Sequence, residues 1–136
     1  MRKIKILFIS LFWVCMVSGC EKQEQSINLS SIDISDIKKI EHRGTTGGKD
    51  GSYSYCLSHR EGTDLINLLH QVELGNTVDA SKALSAGAVS YYTLYFTDGK
   101  KLSFSPGQYF KIENAYYDFK NYDELWDEFI RVNSIN

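Results

Sequence analysis

The sequence predicts an α+β domain: an antiparallel sheet of about four to six strands with two helices packed on one face. Three observations predict it. Stretches with apolar or aromatic residues at alternate positions recur and are joined by glycine-containing turns, as antiparallel hairpins require. Two other stretches repeat apolar residues at helical spacing with polar residues between them. The strands cluster around the helices instead of alternating regularly with them, which favours helices laid on one sheet face over a parallel βαβ arrangement.

The chain begins with a segment that belongs to neither pattern. Arg2, Lys3 and Lys5 precede residues 6–17, twelve positions in which Ser10 is the single polar side chain. A membrane span needs about 20 apolar residues, whereas a cationic start followed by a short apolar run is the form of a secretory signal. At its end, Val17-Ser18-Gly19-Cys20 resembles the lipobox of bacterial lipoproteins. The resemblance implies removal of residues 1–19, a diacylglyceryl thioether on Cys20 and an acylated, palmitate-type N-terminus at Cys20. Membrane lipid is then the first partner, and two or more chains give an anchor that one chain does not. Residues 21–31 are mostly polar and read as a tether of roughly 18 Å. Residues 32–136 are left as a single α+β domain, an ordinary length for one.

Within that domain residues 36–42 read as a strand. Residues 52–58 alternate, with Tyr53, Tyr55 and Leu57 on one face, and the glycine-rich stretch 44–51 joins the two strands. Ser58 and Glu61 have capping-box spacing, with Thr63 or Asp64 as the alternative start, and Leu65, Leu68, Leu69 and Val72 form the stripe of a first helix. Gly75-Asn76 reads as its stop, and residues 76–87 as a loop with room for a short edge strand. Residues 91–104 form a hairpin. A two-residue turn at Asp98-Gly99 would mix the faces, whereas a three-residue loop, 97–99 with Gly99 left-handed, pairs Leu94 with Leu102 and Tyr92 with Phe104. Pro106-Gly107 ends that strand, and residues 109–119 read as one further strand bent near Asn114. A second helix over 122–132 opens on an Asn121-x-x-Glu124 cap and buries Tyr122, Leu125, Trp126 and Phe129. Its acidic residues suit the positive end of the helix dipole.

Composition and spacing exclude several chemistries. Without residues 1–19 the chain carries 12 Lys and Arg against 17 Asp and Glu, a formal net charge of −5 with no basic stripe in sequence, which argues against nucleic acid as a partner. The glycine-rich loop lacks the spacing, the Ser/Thr and the following helix of a phosphate-binding loop. His42, His59 and His70 have no metal-ligand spacing, so no metal or cofactor is expected. Cys56 and His59 lie three positions apart near a strand, which does not bring their side chains together as nucleophile and base. With Cys15 in the leader and Cys20 acylated, Cys56 has no disulfide partner; for such a residue burial is the commoner fate and a reactive thiol the other. Tyrosines remain as the functional clue. Tyr53, Tyr55, Tyr91, Tyr92, Tyr95, Tyr109, Tyr116 and Tyr117 concentrate in strands, and the outward set Tyr91, Tyr95 and Tyr109 forms a candidate binding surface, against which stands plain strand propensity and packing.

Residues 36–132 resemble small bacterial lipoproteins of a domain family of unknown function. The likeness lies in the lipobox, an Ile37-x-x-Ile40 strand, the Leu-rich helix, the hairpin Tyr92-x-Leu94-Tyr95-Phe96-x-Asp98-Gly99-Lys100 and the acidic-aromatic last helix. It implies an exported, membrane-anchored location and this fold. The expected function is therefore a lipid-anchored cell-envelope binding protein without a catalytic site, taking an envelope protein or glycan. The alternatives are an envelope enzyme or accessory subunit acting on cell-wall or surface polymer, and an inhibitor or immunity-type protein.

Overall fold

The computed structural model describes residues 27–84 and 89–133. The leader, the lipobox Val17, Ser18 and Gly19, Cys20 and the first part of the tether lie outside the described residues. Among those described, no helix is long and apolar enough to cross a membrane.

Seven strands of the described residues form one antiparallel sheet: β1 (Ile37–Thr45), β2 (Ser52–Cys56), β3 (Leu74–Val78), β4 (Val89–Phe96), β5 (Lys101–Ser105), β6 (Tyr109–Ile112) and β7 (Ala115–Phe119). Their order is β2-β1-β4-β5-β6-β7-β3, so β2 and β3 are the edges. Two long helices, α1 (His59–Gln71) and α3 (Tyr122–Asn133), pack on one face, and α2 (Ala80–Ala83) is a single turn. The α+β class is as the sequence predicts, with one strand more than the upper expectation.

Alternation decides which face is covered. Ile40, Tyr92, Leu94, Phe104, Phe110, Ile112 and Phe119 point inward and meet Leu65, Leu68, Leu69, Leu125 and Phe129 of the helices. A row of rings crosses the strands beneath them. His42 stacks on Tyr92 (4.3 Å between centroids), Tyr92 on Phe104 (5.2 Å) and Phe104 on Phe110 (5.8 Å), and Phe110 meets Phe119 edge-on (5.3 Å). Such cross-strand aromatic pairs each add about 0.5–1.5 kcal/mol beyond the area they bury. Gly62 lets α1 approach the sheet, since a Cβ there would lie 3.2 Å from the Ile40 methyl.

Local chemistry in α1 and the β4–β5 hairpin is that of the sequence. Ser58 Oγ accepts from the Glu61 amide (3.3 Å) while the Ser58 amide donates to Glu61 Oε2 (2.7 Å), completing the capping box. Leu94 pairs with Leu102 and Tyr92 with Phe104, around a loop whose Gly99 has φ 87°.

Three boundaries and one cap differ for tertiary reasons, besides β1, which runs on to Thr45 because Gly44 and Thr45 pair with Ser90 and Val89 of β4. The tether expected to run to Ser31 ends earlier, because Leu29 is buried in the core on a 3-10 turn against α1. Helix α1 stops at Gln71 instead of Gly75, because Leu74 pairs with Phe119 and opens the edge strand β3. Asn121 accounts for the early stop: its Oδ1 accepts from the Glu73 amide (2.9 Å) and its Nδ2 donates to the Gln71 carbonyl (2.7 Å). That amide was expected to cap α3; it clamps the end of α1 instead, and the helix start is marked only by the Asn121 carbonyl, which accepts from Glu124 and Leu125 (both 3.2 Å). Finally, residues 109–119 make two strands and not one bent strand. Glu113 holds the turn at φ 50° while its amide donates to the Ser103 carbonyl (2.8 Å) and its carboxylate accepts from the Ser103 amide (2.7 Å).

Candidate functional site

A cleft of about 620 Å³ opens at one end of the sheet, where β1 and β4 meet the β5–β6 turn. It is lined by Thr45, Thr46 and Tyr53, by Ser90 and Tyr91 of β4, by Ser105 and residues 106–108, and by Tyr109, Lys111 and Tyr116, whose side chains lie on the uncovered sheet face. Lys82 of α2, Leu84 at its C-terminal cap, and Tyr122, Trp126 and Ile130 of α3 complete the lining. Six aromatic residues are among its lining, Tyr91, Tyr109 and Tyr116 from the open sheet face and Tyr53, Tyr122 and Trp126 from the helix side.

Behind the Ser90 wall lies a polar cluster that local sequence did not announce. His42 is fully buried. Its Nδ1 lies 2.9 Å from the Tyr55 hydroxyl and its Nε2 3.1 Å from Ser90 Oγ, which is also 2.9 Å from the Tyr53 hydroxyl. Burial pulls the His42 pKa below 6.5, opposed by the nearby Glu61 carboxylate, so the ring is neutral at pH 7, with one nitrogen donating and the other accepting. Removal from solvent also pushes the Tyr55 hydroxyl upward. The cluster depends on Gly44, where any Cβ would run into the Tyr53 hydroxyl and the Val89 carbonyl. The signals were present, as alternation aims Tyr53 and Tyr55 inward from β2 and places His42 two positions from Ile40 on β1. Their meeting with Ser90 required the β1–β4 register, in which His42 faces Tyr92 and Gly44 faces Ser90.

The Ser90–His42 pair has the spacing of a nucleophile and a base, but the group behind the imidazole is a phenol, Tyr55, and not a carboxylate. Its partners hold a wall of the cleft in place. Tyr92, stacked on His42, keeps its hydroxyl buried with no hydrogen-bond partner among the described residues, and burial raises its pKa strongly.

The sheet face away from the helices is the second feature. Tyr91, Tyr95 and Tyr109, the outward tyrosines of the sequence, all lie on it, but in two environments. Tyr91 and Tyr109 line the cleft. Tyr95 is farther along β4 and is engaged: its hydroxyl donates to Glu41 Oε2 (2.9 Å), which holds that carboxylate below its ordinary pKa, while Lys39 and Lys101 lie over its ring at 4.4 and 5.2 Å. Lys111 sits 5.4 Å from both the Tyr91 and the Tyr116 ring. Cys56 is exposed on this face, not buried. The same alternation that turns Tyr53 and Tyr55 inward turns it outward. His59 begins α1 beyond Ser58, so it and Cys56 belong to separate elements.

No protein-family model, curated protein or solved structure matches the chain.

Proposed function

We propose that the protein is a lipid-anchored cell-envelope binding module that takes a saccharide in the cleft at the end of its sheet. The anchor rests on Val17-Ser18-Gly19-Cys20 at the end of a cationic, then apolar, leader. The ligand class rests on one observation: Tyr53, Tyr91, Tyr109, Tyr116, Tyr122 and Trp126 are among the residues that line a cleft whose remaining polar groups include Ser90, Ser105, Thr46 and Gln108. Ring faces pack against the C–H surfaces of sugars while hydroxyl and amide groups meet their hydroxyls, the mixture of apolar wall and few polar groups that ligand sites use.

Trp126 supplies the assay, because it is the one tryptophan beyond the leader. Titrating oligosaccharides prepared from the envelope should shift Trp126 emission saturably, and Tyr109→Ala should weaken the response. A set of envelope saccharides that leaves the emission unchanged, with no retention on a saccharide column, refutes the ligand class. Metabolic acyl labelling tests the anchor separately, since label that persists in Cys20→Ala refutes it.

The enzyme reading draws on the 3.1 Å Ser90–His42 contact at the cleft wall. It requires turnover of an envelope polymer that Ser90→Ala abolishes; binding without turnover leaves the module reading in place.

A further inference from the structure

We infer that the saccharide is a polyanion, with its carboxylate or phosphate groups following a track of lysines from the cleft onto the open sheet face; this rests on the saccharide reading above. Among the described residues the cleft is lined by Lys82 and Lys111 and by no Asp or Glu, although the chain beyond residue 19 has an excess of carboxylates. Across the open face, β1, β5 and β6 direct outward Lys39, Arg43, Lys101 and Lys111 against one carboxylate from the same strands, Glu41. Glu41 is committed, accepting from Tyr95 at 2.9 Å and Ser54 at 3.3 Å and lying 3.6 Å from Arg43. Asp118 of β7, the cross-strand partner of Tyr109, is a second carboxylate on this face, so the basic residues still outnumber the acidic ones there by four to two.

Helices on the other side carry the opposite sign. Glu61, Asp64, Asp123, Glu124, Asp127 and Glu128 outnumber Arg60 and Arg131 there. Where the cleft meets α3 its lining is the uncharged Tyr122, Trp126 and Ile130, so the asymmetry turns the anionic groups of the ligand away from the helical carboxylates and toward the sheet face. The cations are also held in place. Lys39 and Lys101 flank Tyr95 from the strands on either side of β4, roughly 10 Å apart by strand spacing. Lys111 is held between Tyr91 and Tyr116 at the mouth of the cleft. A lysine already resting on a ring loses less freedom when it meets an anion. Lys111, Tyr91 and Tyr109 belong to both the cleft and the face, so one chain can follow both without a gap.

The test compares three saccharides of matched length on the purified protein in nonionic detergent, read by Trp126 emission and by calorimetry: oligogalacturonate, a phosphorylated mannan and neutral chitooligosaccharide. At least one acidic saccharide should bind about tenfold or more tightly than the neutral one, and its affinity should fall between about 50 and about 300 mM salt. Lys39→Gln with Lys101→Gln should weaken the acidic ligand by between roughly two- and thirtyfold and leave thermal stability unchanged. Whichever acidic saccharide binds assigns carboxylate or phosphate. Neutral saccharide binding as tightly as the acidic ones overturns the polyanion inference and leaves the saccharide reading standing. Binding of no saccharide overturns both. Acidic binding that ignores salt and the double substitution overturns the lysine track.

Discussion

His42 makes a prediction that isolates one proton. Its ring is fully buried against Tyr92, with Tyr55 and Ser90 on its two nitrogens, and its folded pKa lies below the 6.5 of an exposed histidine because burial penalises the charged form. Above pH 6.5 both folded and unfolded chains hold it neutral and its full contribution to stability is present. As pH falls through 6.5 the unfolded chain takes up the proton first, so stability is lost until the folded value is reached and is flat below it. One proton sets the ceiling: about 1.4 kcal/mol per pH unit. The carboxylates held low by hydrogen bonds, Asp33, Glu41, Glu61 and Asp79, act below about 4.5, so they do not enter the same window. The assay is urea unfolding at about pH 7.5, 6.5 and 5.5. The wild type is compared with His42→Gln, whose amide can donate and accept but does not titrate. Subtracting the two removes the exposed histidines. The wild type should lose stability faster on acidification, and identical slopes in the two proteins would refute the account of His42.

Three further outcomes test the packing around the site. Tyr92→Phe removes a buried hydroxyl that has no partner among the described residues, so it should stabilise the fold by about 1 kcal/mol; a loss in chemical denaturation shows that the hydroxyl is paired. Gly44→Ala places a methyl where the Tyr53 hydroxyl and the Val89 carbonyl lie, and should cost about 1–3 kcal/mol and shift the Tyr53 ring resonances. A fully stable variant with unshifted resonances contradicts that close approach. Asn121→Ala deletes both hydrogen bonds at the end of α1 and should cost about 1–3 kcal/mol by thermal unfolding, whereas Asn121→Asp, which keeps one acceptor, should cost less.

The parts of the fold legible in sequence are those decided by near neighbours. The capping box of Ser58 and Glu61 closes within four residues, and the β4–β5 register follows from keeping Leu94, Leu102, Tyr92 and Phe104 on one face. Cys56 runs against the expectation of burial, although the alternation that turns Tyr53 and Tyr55 inward was itself enough to turn their neighbour outward. Partners distant in the chain were not legible. Asn121 has the form of a helix cap, yet its side chain serves Gln71 and Glu73, about 50 positions earlier. Glu113 lacks the glycine that signals a tight turn, and the Ser103 backbone compensates for its conformation.

The candidate site divides in the same way. Sequence alone selected Tyr91, Tyr95 and Tyr109 as outward rings, because strand alternation is a local property of the chain. It determined the α+β class for the same reason, through periods of two and of about 3.6 residues. Tertiary structure decided which tyrosines share a cleft, which one is occupied by lysines, and that a dispersed set of basic residues forms one face. Lys39, Arg43, Lys101 and Lys111 are scattered over 73 positions of an acidic sequence and carry no local signal. They become neighbours because antiparallel pairing brings β1, β4, β5 and β6 side by side, and charge acts through space and not along the chain.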